Sequence, residues 1–392
     1  MKKEKIMEQS SARTTARLSV LYFFIYCPLG ALCPLISQYL TSIGFNGTQI
    51  GLITSFGTAT AFFAGLFWGD VYANSRHKRW ILAGMCSAAA VLALISRSTE
   101  VFVLYTLLYC CLYFFQSPIH GLCDSLVLSK GGNFPIARAF GAVGYAFCVF
   151  ATGKIADAHG LGVIFYVYAA AFGVTILLLM RETEPPFEKV EKGEKIQLKS
   201  LVRNRDFVKL VICGFFVMGT SMANNTYFGF LFREGGGDVS GIGLAFLLMA
   251  GSEAPFMILL PGLTKRVPAE KLILFAMILS VGRFGFYSSG PSSSLLLGTF
   301  FLQGMVNGVL LVEMVKYVDF MVGPKYSGAA IAVFYAVCSN LSVIFCNLFG
   351  GVILDYAGAT GVYLFFTLYN AAAVVCYIAM GLYKDRNNYK KH

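Results

Sequence analysis

The chain has 392 residues, of which 57% are hydrophobic and only 13% are charged, and its mean hydropathy is +0.68. This composition excludes an ordinary water-soluble globular protein. The formal net charge of +11 comes from basic residues spread over short polar segments between apolar runs, so we expect no nucleic-acid partner.

Twelve apolar runs follow one another along the chain. A helix of about 20 residues crosses a hydrocarbon core about 30 Å thick, so each run predicts a membrane-spanning helix. The first run lacks a small-residue cleavage site and is too long for a signal peptide. The predicted spans are 17–41, 48–72, 80–97, 100–124, 138–158, 161–181, 207–232, 240–262, 271–289, 294–318, 327–354 and 361–383.

The loops between the predicted helices are alternately rich and poor in lysine and arginine. They gather near both termini and in every second loop, whereas the other loops carry little beyond Arg97, Lys154 and Arg233. Cytoplasmic loops are enriched in these residues, which places both termini in the cytoplasm, in agreement with an even number of helices. We therefore predict an all-α, multi-pass integral membrane protein of a bacterial cytoplasmic membrane.

The eleven cysteines all lie inside predicted helices and include no CxxC pair, so we interpret them as small packing residues. We expect no metal and no cofactor. A membrane-embedded enzyme would need a nucleophile and base or a metal-ligand set, and the sequence has no HExxH or GxSxG motif. A receptor would be expected to carry a soluble signalling domain. We therefore predict that the protein is not an enzyme and that it transports a substrate.

The longest polar stretch, residues 182–206, contains Pro185 and Pro186 and separates six predicted helices from six. We predict an N-terminal bundle at 1–181, a cytoplasmic linker at 182–206 and a C-terminal bundle at 207–392. Two segments repeat between the halves: "QIGLITSFG" resembles "GIGLAFLLM", and "GKIADAHG" resembles "GVILDYAG". Two pseudo-symmetric six-helix bundles around a midplane cavity are typical of the major facilitator architecture.

Ionisable side chains inside predicted helices are rare, and their burial costs several kcal/mol unless they are paired or hydrated. We expect Arg283 and Glu253 to lie together and to load and release a proton, the alternative being a structural ion pair. Glu313, Lys316 and Asp319 have the spacing of a solvated ion-pair ladder. His120 is interpreted as a packed residue, and Asp157 and Asp355 as interfacial structure.

The segments "LYFFIYCPLGALCPLISQYL" (21–40) and "ARAFGAVGYA" (137–146) resemble the lactose-permease-like branch of the major facilitator superfamily, which includes oligosaccharide:proton symporters and phenylpropionate and nucleoside transporters. The resemblance implies that Arg138 donates to the substrate and that Tyr145 stacks on it. It makes Asp124 the nearest candidate partner of Arg138. It also matches Arg283 to an arginine implicated in proton release.

The chain departs from that pattern at charged positions. Gln303 and Val306 stand near the family's histidine and glutamate of helix ten, and Glu253 lies about one turn away from the family's glutamate of helix eight. Asn224 or Asn225 replaces an aspartate that the family pairs with a lysine, which here is Ser339 or Asn340. We predict that Asn224, Asn225 and Gln303 bind substrate.

The loop after the second predicted helix, "GDVYANSRHKR" (69–79), resembles a degenerate form of the superfamily's loop motif. The resemblance implies a gate latch that helps to set the balance between inward-facing and outward-facing states. The alternative is a plain basic cytoplasmic loop. The latch residues would be Gly69, Asp70, Arg76, Lys78 and Arg79.

These features together predict a secondary active transporter that works by alternating access. We expect proton-coupled uptake of a small polar or aromatic metabolite, such as a sugar, a nucleoside or an aromatic acid, by a protein that functions as a monomer in the lipid bilayer. The alternative is proton-driven efflux of a small metabolite or drug by the same fold.

Overall fold

The computed structural model describes residues 2–128, 130, 134–184, 201, 203–264, 267–323 and 326–384, and within these ranges the chain forms helices and no strand. Most of the predicted linker therefore lies outside the described residues. The helices before it are α1 (Lys2–Leu32), α2 (Ile36–Ser42), α3 (Gly47–Ala73), α4 (Lys78–Ser96), α5 (Phe102–Leu128), α6 (Phe134–His159) and α7 (Val163–Met180).

The second half has the same helical character, with two interruptions. A π-helical turn, Ala336–Leu341, joins two helices, and Gly358 breaks the last long helix with a φ of 67° that favours glycine. The helices are α8 (Arg205–Glu234), α9 (Val239–Thr264), α10 (Ala269–Ser288), α11 (Ser293–Thr299), α12 (Phe301–Val322), α13 (Ser327–Tyr335) and α14 (Ser342–Ala379).

Each of the twelve predicted spans coincides with helix, so the predicted all-α membrane fold is confirmed. Within the described ranges, nine helical stretches are long and apolar enough to cross a membrane, and the longest, Ser327–Ala379, covers the last two spans. Helices α9 and α10, of 26 and 20 residues, carry the eighth and ninth spans. Large apolar side chains such as Phe63 and Leu177, both 66% exposed, cover the outer helix faces. Such exposure is expected where the surrounding solvent is lipid.

Glycines bring α1 and α6 into close contact. A Cβ atom at Gly144 would lie 2.8 Å from both the Cα and the carbonyl carbon of Phe23, and one at Gly30 would collide with the carbonyl oxygen of Tyr145. Small residues allow helix backbones to approach in this way in membranes. The contact fixes the position of α6, and with it that of Arg138 and Tyr145, against α1.

We expect Gly144→Ala to lower the free energy of unfolding by about 1–3 kcal/mol, because the added methyl group meets backbone atoms that cannot turn aside. The matched control is Gly121→Ala on α5, where a Cβ atom would have no neighbour within 4 Å. Thermal unfolding of the two purified variants measures the difference. Equal melting temperatures would contradict the close contact.

Packing divides the described helices into two units. The first unit comprises α1, α2, α3 from Phe56 onward, α4 to α7, and the start of α9, Val239–Ala250. The second unit comprises Asn46–Ser55 at the start of α3, helix α8, helix α9 from Gly251 onward, and α10 to α14. The predicted boundaries, 1–181 and 207–392, therefore differ from this division at the first turns of two helices.

The start of α3 belongs to the second unit because it makes a close contact with α14. A Cβ atom at Gly47 would lie 2.6 Å from the carbonyl oxygen of Gly351, and Gly51 meets the carbonyl oxygen of Asn347. At α9 the corresponding contact is with α6, where a Cβ atom at Gly243 would lie 2.7 Å from the carbonyl oxygen of Val149. Both starts lie in the segments that repeat between the halves.

Asp355 of α14 binds the first turn of α3. Its carboxylate accepts hydrogen bonds from the backbone amides of Gly47 and Thr48, at 2.5 and 2.8 Å, and from the hydroxyl of Thr48 at 2.6 Å. Asn46 and Gln49 form a reciprocal capping box at the same end. The carboxylate therefore satisfies amides that the helix leaves unpaired and lies where its negative charge is favoured.

We expect Asp355→Ala to destabilise the protein by about 0.5–2 kcal/mol, the usual cost of losing a side chain that caps a helix start. The control is Asp157→Ala, which changes the exposed aspartate at the equivalent position of the other repeat. Thermal unfolding in detergent measures both. If the two variants melted together, the Asp355 contact would contribute nothing to stability.

Candidate functional site

Polar residues of the first unit gather around two tyrosines of α1. The guanidinium of Arg138 lies 4.7 Å from the ring centroid of Tyr26, and the hydroxyl of Tyr22 donates to a carboxylate oxygen of Asp124 at 2.5 Å. The two tyrosine rings stack with centroids 6.1 Å apart, so they link the two charged residues. The imidazole of His120 packs on Tyr26 at 4.5 Å, in agreement with its interpretation as a packed residue.

Tyr145 lies two turns after Arg138 on α6 and is half-buried. Its backbone is held by the contact with Gly30 described above. The sequence places Arg138, Gly141 and Tyr145 at helical spacing, and Gly141 faces the ring of Tyr26. A Cβ atom at Gly141 would lie 2.7 Å from the ring of Tyr26, so the glycine lets the tyrosines of α1 pack against α6 beside Arg138.

Neutral amides occupy the interior of the second unit. Gln303 is fully buried, and its amide nitrogen donates to the backbone carbonyl of Ser221 at 3.0 Å. A backbone carbonyl only accepts, so this bond fixes the orientation of the amide. The amide oxygen of Gln303 then has no hydrogen-bond partner among the described residues.

Asn224 is also fully buried and accepts a hydrogen bond of 2.7 Å from the hydroxyl of Tyr363. Its amide nitrogen, like the amide oxygen of the neighbouring Asn225, finds no hydrogen-bond partner in the part of the chain that the structure describes. Thr220, one turn before Asn224 on α8, accepts a hydrogen bond of 2.7 Å from the side-chain amide of Asn370. Buried polar atoms are costly to leave unpaired, so these amides provide binding capacity for a polar molecule.

Arg283 of α10 lies in the interior of the second unit and is 3% exposed. Its guanidinium packs over the rings of Phe284 and Tyr287, at 4.3 and 5.6 Å from their centroids. None of its three guanidinium nitrogens hydrogen-bonds to another residue within the described ranges. The expected pair with Glu253, which is half-buried on α9, is therefore not formed, because the guanidinium lies against aromatic rings of its own helix.

The basic loop binds the chain segment that follows α7. Arg79 contacts Glu184 at 3.1 Å and donates to the backbone carbonyl of Glu182 at 2.6 Å. Glu182 is buried and pairs with Arg17 at 2.7 Å and with Lys130. Of the other predicted latch residues, Asp70 accepts from Asn74, Lys78 packs on Tyr72, Arg76 is exposed, and Gly69 is half-buried.

Two ionisable groups behave as structural residues. Lys316 donates to Glu313 at 2.9 Å, as the predicted ladder expects, but Glu313 is fully buried, so the pair is not the solvated one that was predicted. Within the described ranges, no His, Cys, Asp and Glu side chains gather into a group that could hold a metal ion.

Sequence reasoning missed the aromatic partners of the polar residues. Three tyrosines are involved. Asp124 contacts Tyr22, Arg138 contacts Tyr26, and Asn224 contacts Tyr363. Tyrosine is frequent in this chain, with 21 copies, so its type alone carries no indication of a site. The available indication was spacing, because Tyr22 and Tyr26 share one face of α1 at i and i+4.

A family model described as "MFS_1 like family" matches residues 15–365. The maltose permease of Geobacillus stearothermophilus is 32% identical over 371 residues, which cover 93% of this chain and 94% of the permease. An uncharacterised transporter of Bacillus subtilis, YwbF, is 29% identical over 387 residues, 97% of this chain and 96% of that protein. A putative nucleoside transporter of Escherichia coli, YegT, is 22% identical over 364 residues, 88% of this chain and 85% of its own length.

Among solved structures, the crystal structure of the nucleoside transporter NupG is similar with a TM-score of 0.83 at 17% identity, covering 94% of this chain and 98% of that one. A bacterial homologue of the lysosomal transporter Spinster, in an inward-facing and unoccupied conformation, has a TM-score of 0.67 at 14% identity, with 95% and 96% covered. These structures show the same fold.

Proposed function

Because this chain belongs to the MFS_1 like family of the major facilitator superfamily, we propose that it is a secondary active transporter that imports a small hydroxyl-rich metabolite. The substrate class is a sugar or a nucleoside, as the names of a maltose permease and a putative nucleoside transporter among its relatives suggest. Transport proceeds by alternating access and is driven by protons. The protein acts as a monomer in a bacterial cytoplasmic membrane, with both termini in the cytoplasm.

The observation that carries this proposal is the orientation of Gln303. Its amide nitrogen is occupied by the carbonyl of Ser221, so the buried amide oxygen is left to accept from a ligand. Asn224 and Asn225 add further amide groups in the same unit. Neutral donors and acceptors suit hydroxyl groups, which both donate and accept hydrogen bonds. A site built in this way also rejects analogues that lack the hydroxyl.

In the first unit, Arg138 donates to substrate hydroxyls and Tyr145 provides a stacking surface. The ring of Tyr26 packs against one side of the guanidinium. Asp124 accepts a hydrogen bond from Tyr22, which stacks on Tyr26, so a carboxyl group lies beside the same pair of tyrosines. A planar guanidinium offers two parallel donors, which match a pair of neighbouring hydroxyl oxygens.

Glu253 carries the coupling proton in this proposal. It is a half-buried carboxyl group on a membrane-spanning helix. Keeping such a group ionised there is energetically unfavourable, so its presence indicates a functional role. Arg283 does not hold it in the conformation described, so we assign the proton to Glu253 alone. The loop 69–79 acts as the gate latch through Arg79, whose bonds to residues 182 and 184 join the loop to the start of the linker.

The test is transport by the purified protein in proteoliposomes. Radiolabelled maltose and uridine are supplied outside with an imposed pH gradient, acidic outside, and the accumulated label is measured with and without a protonophore. Accumulation that the protonophore abolishes supports the proposal. Loss of preloaded label against its gradient would assign proton-driven efflux instead, and no movement of either compound would contradict the substrate class.

A further inference from the structure

One face of α10 is lined with buried polar groups. Ser280, Arg283 and Tyr287 follow one another at i, i+3 and i+7 and therefore point to the same side of the helix. Their exposed fractions are 0%, 3% and 0%. None of their side-chain polar atoms has a hydrogen-bond partner among the described residues. This face holds a guanidinium between two hydroxyl groups.

The positive charge on this face lacks a protein counter-charge. An isolated buried ion is unfavourable by several kcal/mol, and aromatic contacts such as those to Phe284 and Tyr287 offset only about 1–2 kcal/mol. Four acids of the second unit bind groups other than Arg283. Asp206 pairs with Lys209, Glu313 pairs with Lys316, Glu234 accepts from the amide of Ala359, and Asp355 binds the start of α3.

Two further acids of this unit, Glu270 and Glu253, do not hydrogen-bond to Arg283. Glu270 precedes it by thirteen residues on the same helix, a distance of about 20 Å along the axis at 1.5 Å per residue. Glu253 makes no hydrogen bond to any of its guanidinium nitrogens. No carboxylate of the described residues hydrogen-bonds to Arg283, so a bound anion would supply a direct counter-charge to the buried guanidinium.

We propose that Ser280, Arg283 and Tyr287 form a binding site for a small, singly charged anion. Three guanidinium nitrogens and two hydroxyl groups can all donate, and no carboxylate oxygen competes for them in the described structure. The aromatic rings of Phe284 and Tyr287 form an apolar wall beside the cation, which favours a weakly hydrated anion such as chloride. The site neighbours the amides assigned to the neutral substrate, because the ring of Tyr287 lies 5.4 Å from that of Tyr363, whose hydroxyl donates to Asn224.

The test is thermal unfolding of the purified full chain in detergent, at constant sodium concentration, with gluconate replaced stepwise by chloride, acetate or phosphate. A ligand that binds only the folded state raises the melting temperature in a saturable way. We expect chloride to raise it by about 2 °C or more at saturation. Acetate and phosphate distinguish a halide site from a site for a carboxylate or phosphate group of a solute.

The variants locate the effect. Arg283→Gln should abolish the anion-dependent shift, whereas Arg97→Gln, which changes an exposed arginine that packs on Tyr166, should keep it. If Arg283→Gln does not fold, Ser280→Ala and Tyr287→Phe should each raise the half-saturating concentration at least threefold. Equal melting temperatures in all four anions, or a shift that survives in Arg283→Gln, would overturn the proposal. Because no substrate is present, this outcome is independent of the transport assay.

Discussion

Replacing Glu253 by Gln should abolish concentrative, pH-driven uptake and leave exchange of substrate across the membrane intact. The carboxamide is nearly isosteric with the protonated carboxyl group but cannot release a proton, so the variant stays in the loaded state. For one proton per substrate, a gradient of about one pH unit corresponds to about 1.4 kcal/mol and supports about tenfold accumulation. We expect the variant to lose this tenfold accumulation.

The measurement compares two assays on the same proteoliposomes: uptake driven by an imposed pH gradient, and exchange of internal label for external unlabelled substrate. Asp157→Asn is the control, because it neutralises an exposed acid of the first unit without changing a buried one. Unchanged accumulation in Glu253→Gln would refute the coupling role. Loss of both uptake and exchange would show that the residue is needed for transport in general.

Replacing Arg138 by Lys should weaken substrate binding by about tenfold to a hundredfold, because hydrogen bonds to a charged group contribute about 1.5–3 kcal/mol each. Lysine keeps the charge but replaces a planar pair of donors by a single ammonium group. The lysine would also lose the flat contact with the ring of Tyr26. The half-saturating concentration for exchange reports the change.

Arg97→Lys is a closely matched control for this variant. The guanidinium of Arg97 lies 4.7 Å from the ring centroid of Tyr166, the same distance as between Arg138 and Tyr26, and both arginines are exposed. We expect Arg97→Lys to leave the half-saturating concentration unchanged. A normal value in Arg138→Lys would place this arginine outside the substrate site.

The membrane-spanning helices were predictable because their evidence is local. A run of about 20 apolar residues has few alternatives, so the twelve spans agree with helical segments of the structure. The interruption at Gly358 was predicted as a gap between two spans, although the helix continues on both sides of it. The π-helical turn at 336–341 was not predicted, since its sequence, "AVCSNL", does not differ from that of an α-helix in composition.

The contacts of the candidate site could not be predicted, because they depend on residues far apart in sequence. Tyr22 and Asp124 are 102 residues apart, and Asn224 and Tyr363 are 139 apart. Sequence reasoning selected these polar residues because such residues are rare inside apolar helices. It placed Glu253 beside Arg283 because opposite charges in a membrane are expected to pair, whereas the structure gives Arg283 aromatic neighbours.

The starts of α3 and α9 have different chemistry, and this difference implies a different response to ionic strength. The start of α3 is held by the Asp355 carboxylate, whose attraction to the helix end weakens as salt screens it. The start of α9 meets α6 through backbone atoms at Gly153 and Gly243, at distances where shape rather than charge decides the contact. Raising the salt concentration should therefore loosen the first contact and leave the second unchanged.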